Sequence, residues 1–262
     1  MPDNNNDNNN LIITPSLELG TPRLRDGRRA PNGELYPLNE IPDSIIRKIG
    51  GYFVYLLHVG RKEITGADWG DAFAQAIGGE HLDSPVGIAD VKKDGMAYSM
   101  KTVKATRPFS ATSVRLISGR CSPDYSYGIG NPHDDIQKTG RAVLAIWNER
   151  VNIAHEEFNP VRTSVLVRSD DMLSYVLFEE DTNRYRVSDY MWEANKNGNL
   201  IGIHRDTQNT CFTWQPHGAQ FTILTKIPED AIRFKIRRPP VMTQESVLES
   251  IKFTDEWVQI IR

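Results

Sequence analysis

The sequence has few cysteines, no long apolar run and no strong net charge. Cys121 and Cys211 are the only two cysteines among 262 residues, a usage that argues against a disulfide scaffold or a zinc finger and fits a reducing cytoplasm. No apolar run reaches the ~18 residues of a membrane span, and the N-terminus lacks a signal-peptide pattern. We therefore expect a soluble cytoplasmic protein with no membrane partner. The net charge of −3 means that any binding to nucleic acid requires local basic surface.

Several common catalytic motifs are also missing. There is no P-loop, no G-x-G-x-x-G after a strand and no G-x-S-x-G nucleophile elbow. The six histidines are scattered without an H-x3-H pair, which disfavours a zinc hydrolase. Acidic pairs such as Glu179–Glu180 are adjacent in sequence and point apart on a helix or strand, so they are poor acid–base dyads.

Composition divides the chain into a polar tail and one domain. Residues 1–20 begin with MPDNNNDNNN, which cannot bury apolar surface, and we predict a disordered tail. Residues 21–262 contain no internal repeat and no clear linker, so they are interpreted as a single domain. The arginines Arg23, Arg25, Arg28 and Arg29 belong either to a solvated linker or to an arm that touches phosphates.

Hydrophobic spacing predicts three helices and several strands. The first helix follows Pro42, and the second begins at a capping box of Thr65 and Asp68 and ends at Gly78. A hairpin and a basic loop come next, and a long helix occupies residues 133–158. Two strands and a strand-rich C-terminal part follow. This order predicts an α/β (α+β) fold with a mixed central sheet flanked by helices.

The hairpin is the segment GIADVKKDGMAYSMKTVK, residues 87–104. If Asp94 and Gly95 form a two-residue type I′ turn, paired positions sum to 189 and Asp90 faces Ser99. Because side chains alternate along a strand, Asp90, Ser99 and Lys101 then share one face. We predict that Ala89, Val91, Tyr98 and Met100 cover the opposite face and pack on a helix.

This polar group suits phosphodiester hydrolysis. A carboxylate can hold Mg²⁺, which neutralises charge on the scissile phosphate and lowers the pKa of a bound water. A lysine nearby can orient or deprotonate that water. An ordinary surface hairpin and another lysine–carboxylate chemistry are the alternatives.

The residues SPVGIAD, followed eight residues later by SMK, resemble the PD-(D/E)xK nuclease motif. The resemblance implies a restriction-endonuclease-like αβββαβ core over residues 65–170, Mg²⁺ as cofactor, Asp90 as metal ligand and Lys101 as catalytic lysine. At this chain length the motif is commonest in type II restriction endonucleases. The resemblance to them implies a homodimer that cuts double-stranded DNA and leaves a 5′-phosphate. Ser99 departs from the pattern, since it stands where the family has a second acid.

The missing acid has four candidates. Asp71 is the first, as a metal ligand, because it lies on the polar face of the helix before the hairpin; a solvated helix residue is the alternative. Asp135 is the second, although a favourable charge in the first helical turn explains it better. Glu80 and Asp83 lie close before the hairpin.

Two regions, residues 105–130 and 185–240, are expected to carry DNA-recognition elements. Basic side chains without an intervening acid follow the hairpin, where they track phosphates or form a solvated loop face; they are Lys104, Arg107, Arg115 and Arg120. Gln215, His217 and Gln220 carry groups suited to base recognition, or they serve a structural role.

These observations predict a type II restriction endonuclease with Asp90, Ser99 and Lys101 at its catalytic centre. A structure-selective or repair nuclease with the same core is one alternative. The other is a DNA-binding protein that has lost catalysis, and Ser99 keeps that alternative open.

Overall fold

The computed structural model describes residues 34–261. The predicted tail of residues 1–20 and the four arginines of residues 23–29 lie outside the described residues. The helices are α1 Asp43–His58, α2 Gly66–Ile77, α3 Pro123–Tyr127, α4 Ile136–Glu157 and α5 Gln244–Ser250. The strands are β1 Glu80–Val86, β2 Ala89–Lys93, β3 Met96–Lys104, β4 Ser113–Arg120, β5 Val161–Arg168, β6 Ser174–Asp181, β7 Tyr190–Ala194, β8 Leu200–His204, β9 Thr210–Gln215, β10 Gln220–Lys226 and β11 Ile232–Lys235.

The first two helices form where the spacing predicts them. In α2 the Thr65 hydroxyl accepts a hydrogen bond from the Asp68 backbone N–H, and the Asp68 carboxylate accepts one from the Thr65 backbone. This reciprocal pair satisfies two backbone donors that a helix leaves free at its start. Gly78 ends α2 in the left-handed conformation with φ 67°.

The strands assemble into two sheets, not the one central sheet that the sequence predicts. The mixed sheet has six strands in the order β1-β2-β3-β5-β6-β11. Its strands pair antiparallel except β3 and β5, which are parallel and are joined through α4. The antiparallel sheet has five strands in the order β4-β10-β9-β8-β7. The mixed α/β class is therefore confirmed, with a second sheet that sequence periodicity could not assign.

Four strands appear where the sequence predicts none. The predicted basic loop contains β4, and β7 and β8 lie before Gln215 in a region for which no strand was predicted. The segment before the hairpin forms β1, so the hairpin is part of a three-stranded meander. The burial pattern of β4 alternates strictly from Ser113 to Ser118, but turn-forming and charged neighbours conceal that alternation in the sequence.

The mixed sheet is covered on both faces. One face packs on α1 and α2 through a core that includes Phe53, Trp69 and Tyr98. The other face packs on α4 and on the antiparallel sheet, through two further clusters around Trp147 and Phe178. A sheet with two covered faces buries almost all of its central strand, and β5 is buried along its whole length.

The described helices were also compared with the length and hydropathy of a membrane span. None of the helices in residues 34–261 is both long enough and apolar enough to cross a bilayer.

Candidate active site

The hairpin of β2 and β3 has the predicted register. Asp94 and Gly95 both have positive φ, 48° and 84°, as a type I′ turn requires. Val91 pairs with Tyr98 and Lys93 with Met96. Paired positions sum to 189, as predicted from the turn type, and this register places Asp90 beside Ser99.

Asp90, Ser99 and Lys101 form one connected group. The Lys101 Nζ donates a hydrogen bond to Ser99 Oγ at 2.6 Å and lies 3.8 Å from Asp90 Oδ2. The same Asp90 oxygen accepts a hydrogen bond from the Met100 backbone N–H at 2.7 Å and lies 3.5 Å from Ser99 Oγ. These contacts hold the Lys101 amine beside the Asp90 carboxylate.

The opposite face of the hairpin is apolar, as predicted, with one exception. Val91, Tyr98 and Met100 pack into the core beneath α1 and α2. Ala89 instead joins the cluster around α4. It pairs with Val86 beside the turn between β1 and β2, beyond the irregularity between His81 and Val86 where the register shifts, so simple alternation does not hold there.

The trio lies in a cleft of about 660 Å³. Its walls come from α2, the three-stranded meander, the edge strand β4 and α4, and its acidic lining consists of Asp71, Asp83 and Asp90. Asp71, the first candidate for the displaced acid, therefore shares the cleft with Asp90. Asp135 is the N-cap of α4, where its carboxylate accepts the Lys138 backbone N–H, and it is not among the residues that line the cleft. Glu80 forms a salt bridge with Lys92.

Asp71 has a partner that the sequence does not suggest. Its Oδ1 lies 2.7 Å from Nδ1 of His81 on β1, and both residues line the cleft. Gly70 leaves room for the imidazole, because a Cβ at this position would collide with the ring. His81 thus holds the Asp71 carboxylate on the cleft wall.

Arg150 of α4 is a further cleft residue that sequence reasoning missed. Its guanidinium donates to the Gly87 carbonyl and, at 3.1 Å, to the Ser118 carbonyl. Gly87 and Gly119 have φ of 62° and 99°, and a Cβ at either would collide with Arg150. Arg150 therefore joins the meander to β4, and it adds positive charge to the cleft.

Burial lowers the pKa of Lys101 from its ordinary value. The negative charge of Asp90 opposes this change, whereas the positive charge of Arg150 adds to it. Lys101 is only 15% exposed in the structure, so the desolvation that drives the shift is substantial.

A further carboxylate, that of Glu180, lies in the same cross-strand row as Ser99 and on the same face of the mixed sheet. Ser99 pairs with Thr163 on β5, and Thr163 pairs with Glu180 on β6. Glu180 and Lys101 line a small polar cavity of about 20 Å³, enough for roughly one water. Burial raises the pKa of Glu180 to about 6. The strand pairing that creates this row is long-range, and nothing in the sequence near Ser99 indicates it.

The structure brings together some of the predicted DNA-binding residues. Gln220 pairs with both Arg120 and Gln215, so these three lie side by side at one end of the antiparallel sheet, and His217 occupies the adjoining turn. Arg115 is exposed on β4. Lys104 forms a 3.0 Å salt bridge with Asp170, next to the loop that contains Arg107.

The cleft offers Mg²⁺ only a small number of carboxylate oxygens. Within residues 34–261 no group of three acidic, histidine or cysteine side chains could hold a metal ion. Mg²⁺ does not require one, because it keeps several waters and is bound through one or two carboxylates plus substrate phosphate. The contacts of Asp90 use Oδ2, which leaves Oδ1 available within the described residues. Asp90 and Asp71 both line the cleft and are the residues that could supply such carboxylate oxygens.

Comparisons with known proteins add no relative: no family model, no curated protein and no solved structure matches the chain.

Proposed function

We propose that this protein is a Mg²⁺-dependent endonuclease of restriction type, which hydrolyses phosphodiester bonds in double-stranded DNA at a short specific sequence. The observation that carries the proposal is the contact of Lys101 with Ser99 and Asp90 on the wall of an open cleft. The element order of residues 66–168 supports it. This order is helix, three strands, helix, strand, with β4 and α3 inserted before α4.

The chain's own residues would do most of the positioning. When bound by Asp90 and Asp71, Mg²⁺ would supply positive charge to the phosphate and acidify a water. Lys101 is fixed by Ser99, so its amine can hold a phosphate oxygen or the attacking water in a defined place. The Met100 backbone N–H fixes Asp90 in turn. Each of these roles requires that the groups stay where the hairpin register puts them.

Two surfaces provide contacts for DNA. Arg115 on β4 lies next to Ile117 and Ser118, two residues of the cleft wall, so a phosphate backbone could pass from the cleft onto this strand. The row of Arg120, Gln220 and Gln215 offers donors and acceptors suited to base edges. We propose that the first surface positions the duplex and the second reads its sequence.

Cleavage of plasmid DNA by the purified chain tests the proposal. With Mg²⁺ we expect discrete fragments, and without a divalent cation we expect none. Asp90→Ala and Lys101→Ala should each abolish cleavage and keep the circular-dichroism spectrum. Lys92→Ala is the matched control, because Lys92 lies on the same hairpin but pairs with Glu80 outside the trio. Wild-type cleavage by either active-site variant contradicts the site assignment.

Ser99 supports a second candidate, a DNA-binding protein without catalysis. The hydroxyl of Ser99 accepts a hydrogen bond from Lys101 but cannot replace a carboxylate as a strong metal ligand. Specific binding to DNA without cleavage under any divalent cation would favour this candidate. Cleavage of nicked or branched DNA without sequence preference would instead indicate a structure-selective or repair nuclease.

A further inference from the structure

Residues 241–261 form an arm that is exposed along nearly its whole length. Met242 and Leu248 are half-buried, and every other residue of the arm is exposed. The arm is nevertheless rich in large apolar side chains: Trp257 is 62% exposed, Ile260 is 75% exposed and Ile261 is 86% exposed. Contiguous exposed apolar surface of this kind marks an interaction site.

The arm has local structure but no core of its own. Thr243 caps α5, and Val247 and Ile251 lie one helical turn apart. Phe253 and Trp257 form an edge-to-face pair with ring centres 6.0 Å apart. Within residues 34–261, the apolar side chains of the arm stay largely exposed, and a helical stripe of this kind has the pattern of a helix-in-groove ligand.

A groove of complementary chemistry lies at the base of the arm. It has a volume of about 680 Å³ between α1 and the chain that follows β11, and its floor is apolar, with Ile46, Val54, Phe234 and Ile236. Its rim carries the cations Arg47, Lys235, Arg237 and Arg238, and no described carboxylate lines it. Among residues 34–261, no salt bridge uses these four cations.

The charges of the arm are the opposite of those of the groove. The arm contains four carboxylates and one lysine: Glu245, Glu249, Asp255, Glu256 and Lys252. The arm, apolar with acidic flanks, is therefore complementary in polarity and charge to the groove, which is apolar with a basic rim. An acidic arm is also unsuited to binding DNA, because phosphates would repel it.

The connection of the arm favours a groove on another molecule. Pro239 and Pro240 line the groove, and the next residues are attached to the end of α1 by a hydrogen bond from the Met242 backbone N–H to the His58 carbonyl. None of residues 241–261 lines the groove of their own chain, although the arm begins directly after it. Two molecules related by a two-fold axis near Pro240 would each have the partner's groove within reach, which gives a closed, isologous interface.

We propose that the arm of residues 241–261 docks in the groove of a second copy of this chain, so that two copies exchange arms. The resemblance to type II restriction endonucleases implies a homodimer but does not indicate which surface forms it. The proposed exchange identifies that surface as the arm and the groove. The inference does not depend on the nuclease proposal, because association is measured without any cleavage.

Sedimentation velocity of the full chain, with two variants, tests the exchange. The arm variant is Ile251→Ser with Phe253→Ser and Trp257→Ser; the groove variant is Arg47→Glu with Arg237→Glu. We expect a wild-type dimer and, in each variant, a dissociation constant at least ten-fold higher. Lys138→Glu with Lys196→Glu is the matched control, since both lysines are exposed and neither lines the groove.

A mixture of the two variants separates exchange from other arrangements. In an arm-variant homodimer both arms are defective, and in a groove-variant homodimer both grooves are defective. A mixed dimer retains one intact arm in one intact groove, so the equimolar mixture should sediment faster than either variant alone. A monomeric wild type, variants that dimerise as tightly as wild type, or a mixture that shows no gain each overturns the proposal.

Discussion

Two cation–carboxylate groups lie on opposite faces of the mixed sheet and differ in what surrounds them. On one face Lys101 contacts Asp90 and Ser99 and opens onto the cleft. On the other face Arg162 pairs with Glu179 at 3.2 Å, and both side chains are almost completely buried, 1% and 0% exposed. Tyr36 donates a hydrogen bond to Glu179 at 2.8 Å, and its backbone carbonyl accepts one from Arg162.

The difference separates a structural pair from a candidate reactive group. The Arg162–Glu179 pair is sealed from solvent and is held by Tyr36 and by a second carboxylate, Glu34, 3.3 Å from Arg162, although the Arg162 Nε has no hydrogen-bond partner among the described residues. Burial raises the pKa of Glu179 to about 7, whereas Tyr36 and Arg162 oppose that shift. Lys101 contacts Ser99, the Met100 carbonyl and Asp90, and it lines an open cleft that a ligand can enter. A charged cluster that borders an open cleft fits a site of chemistry better than one that is sealed.

The largest effect should follow from removing the reactive amine. Lys101→Ala should reduce cleavage by about 10²- to 10⁴-fold, the usual contribution of one positioned proton-transfer group. Arg162→Met should leave the rate per folded molecule within a few-fold, because its partners lie on the opposite face. Single-turnover rates, corrected for the folded fraction, measure both. Equal losses in the two variants would remove the functional distinction between the clusters.

Stability should respond in the reverse order. Glu179→Ala removes the buried carboxylate partner of Arg162 and leaves only the exposed Glu34 at 3.3 Å, so it should lower the free energy of unfolding by about 3–5 kcal/mol. Lys101→Met removes a partly desolvated charge and keeps the aliphatic volume, so its stability should equal or exceed wild type. Urea unfolding followed by circular dichroism gives both values. A loss of several kcal/mol in Lys101→Met would mean that this cluster is also primarily structural.

A pH-dependent effect is expected from Glu180. Its pKa in the folded chain, about 6, lies above its ordinary value of 4.5. The folded state therefore binds the proton more tightly, and the free energy of unfolding falls as pH rises from about 4 to 7. By the 1.36 kcal/mol that one pKa unit represents, the change is about 2 kcal/mol.

Glu180→Gln isolates this contribution. The variant should lose that part of the pH dependence and become more stable than wild type near pH 8. Unfolding curves of both proteins at pH 4, 6 and 8 measure the difference, since Glu179 contributes equally to each. A difference that does not vary with pH would contradict the raised pKa.

The smallest effect concerns the second acid of the cleft. If Asp71 binds Mg²⁺ with Asp90, Asp71→Asn should raise the Mg²⁺ concentration for half-maximal cleavage about ten-fold, in the range typical for residues that support a metal site. The exposed carboxylate should contribute little to stability. Cleavage rates titrated with Mg²⁺ measure the shift, and Asp94→Asn, which changes an exposed acid outside the cleft, is the matched control. An unchanged requirement in Asp71→Asn would return the search to other acids, including Glu180.

Local features of the chain were predictable. The Asp94–Gly95 turn determines its own backbone twist and therefore the register of the adjoining strands. The Thr65–Asp68 capping box and the spacing of Ile45, Ile49 and Phe53 likewise depend on neighbours within a few residues. Each of these signals arises between residues that are close together in the chain, so it can be read from the sequence alone.

Long-range features were not predictable from the amino-acid sequence. Lys101 and Val165 are neighbours only because β3 pairs with β5, across 63 intervening residues that include β4, α3 and α4. The cleft also needs Arg150, which joins Gly87 to Ser118, and His81, which holds Asp71. Arg150 has the sequence context of a solvated helix residue, and His81 that of a lone histidine.

The sequence by itself determined the hairpin, its register and the shared face of Asp90, Ser99 and Lys101, because alternation and turn geometry act over a few residues. Only the tertiary structure decided that this face borders a cleft, that Asp71 shares it, and that a second sheet closes over the first. Those outcomes depend on pairing between distant strands and on packing of α4 between the sheets. Local chemistry does not encode such contacts, since they arise from the burial of apolar surface across the whole chain.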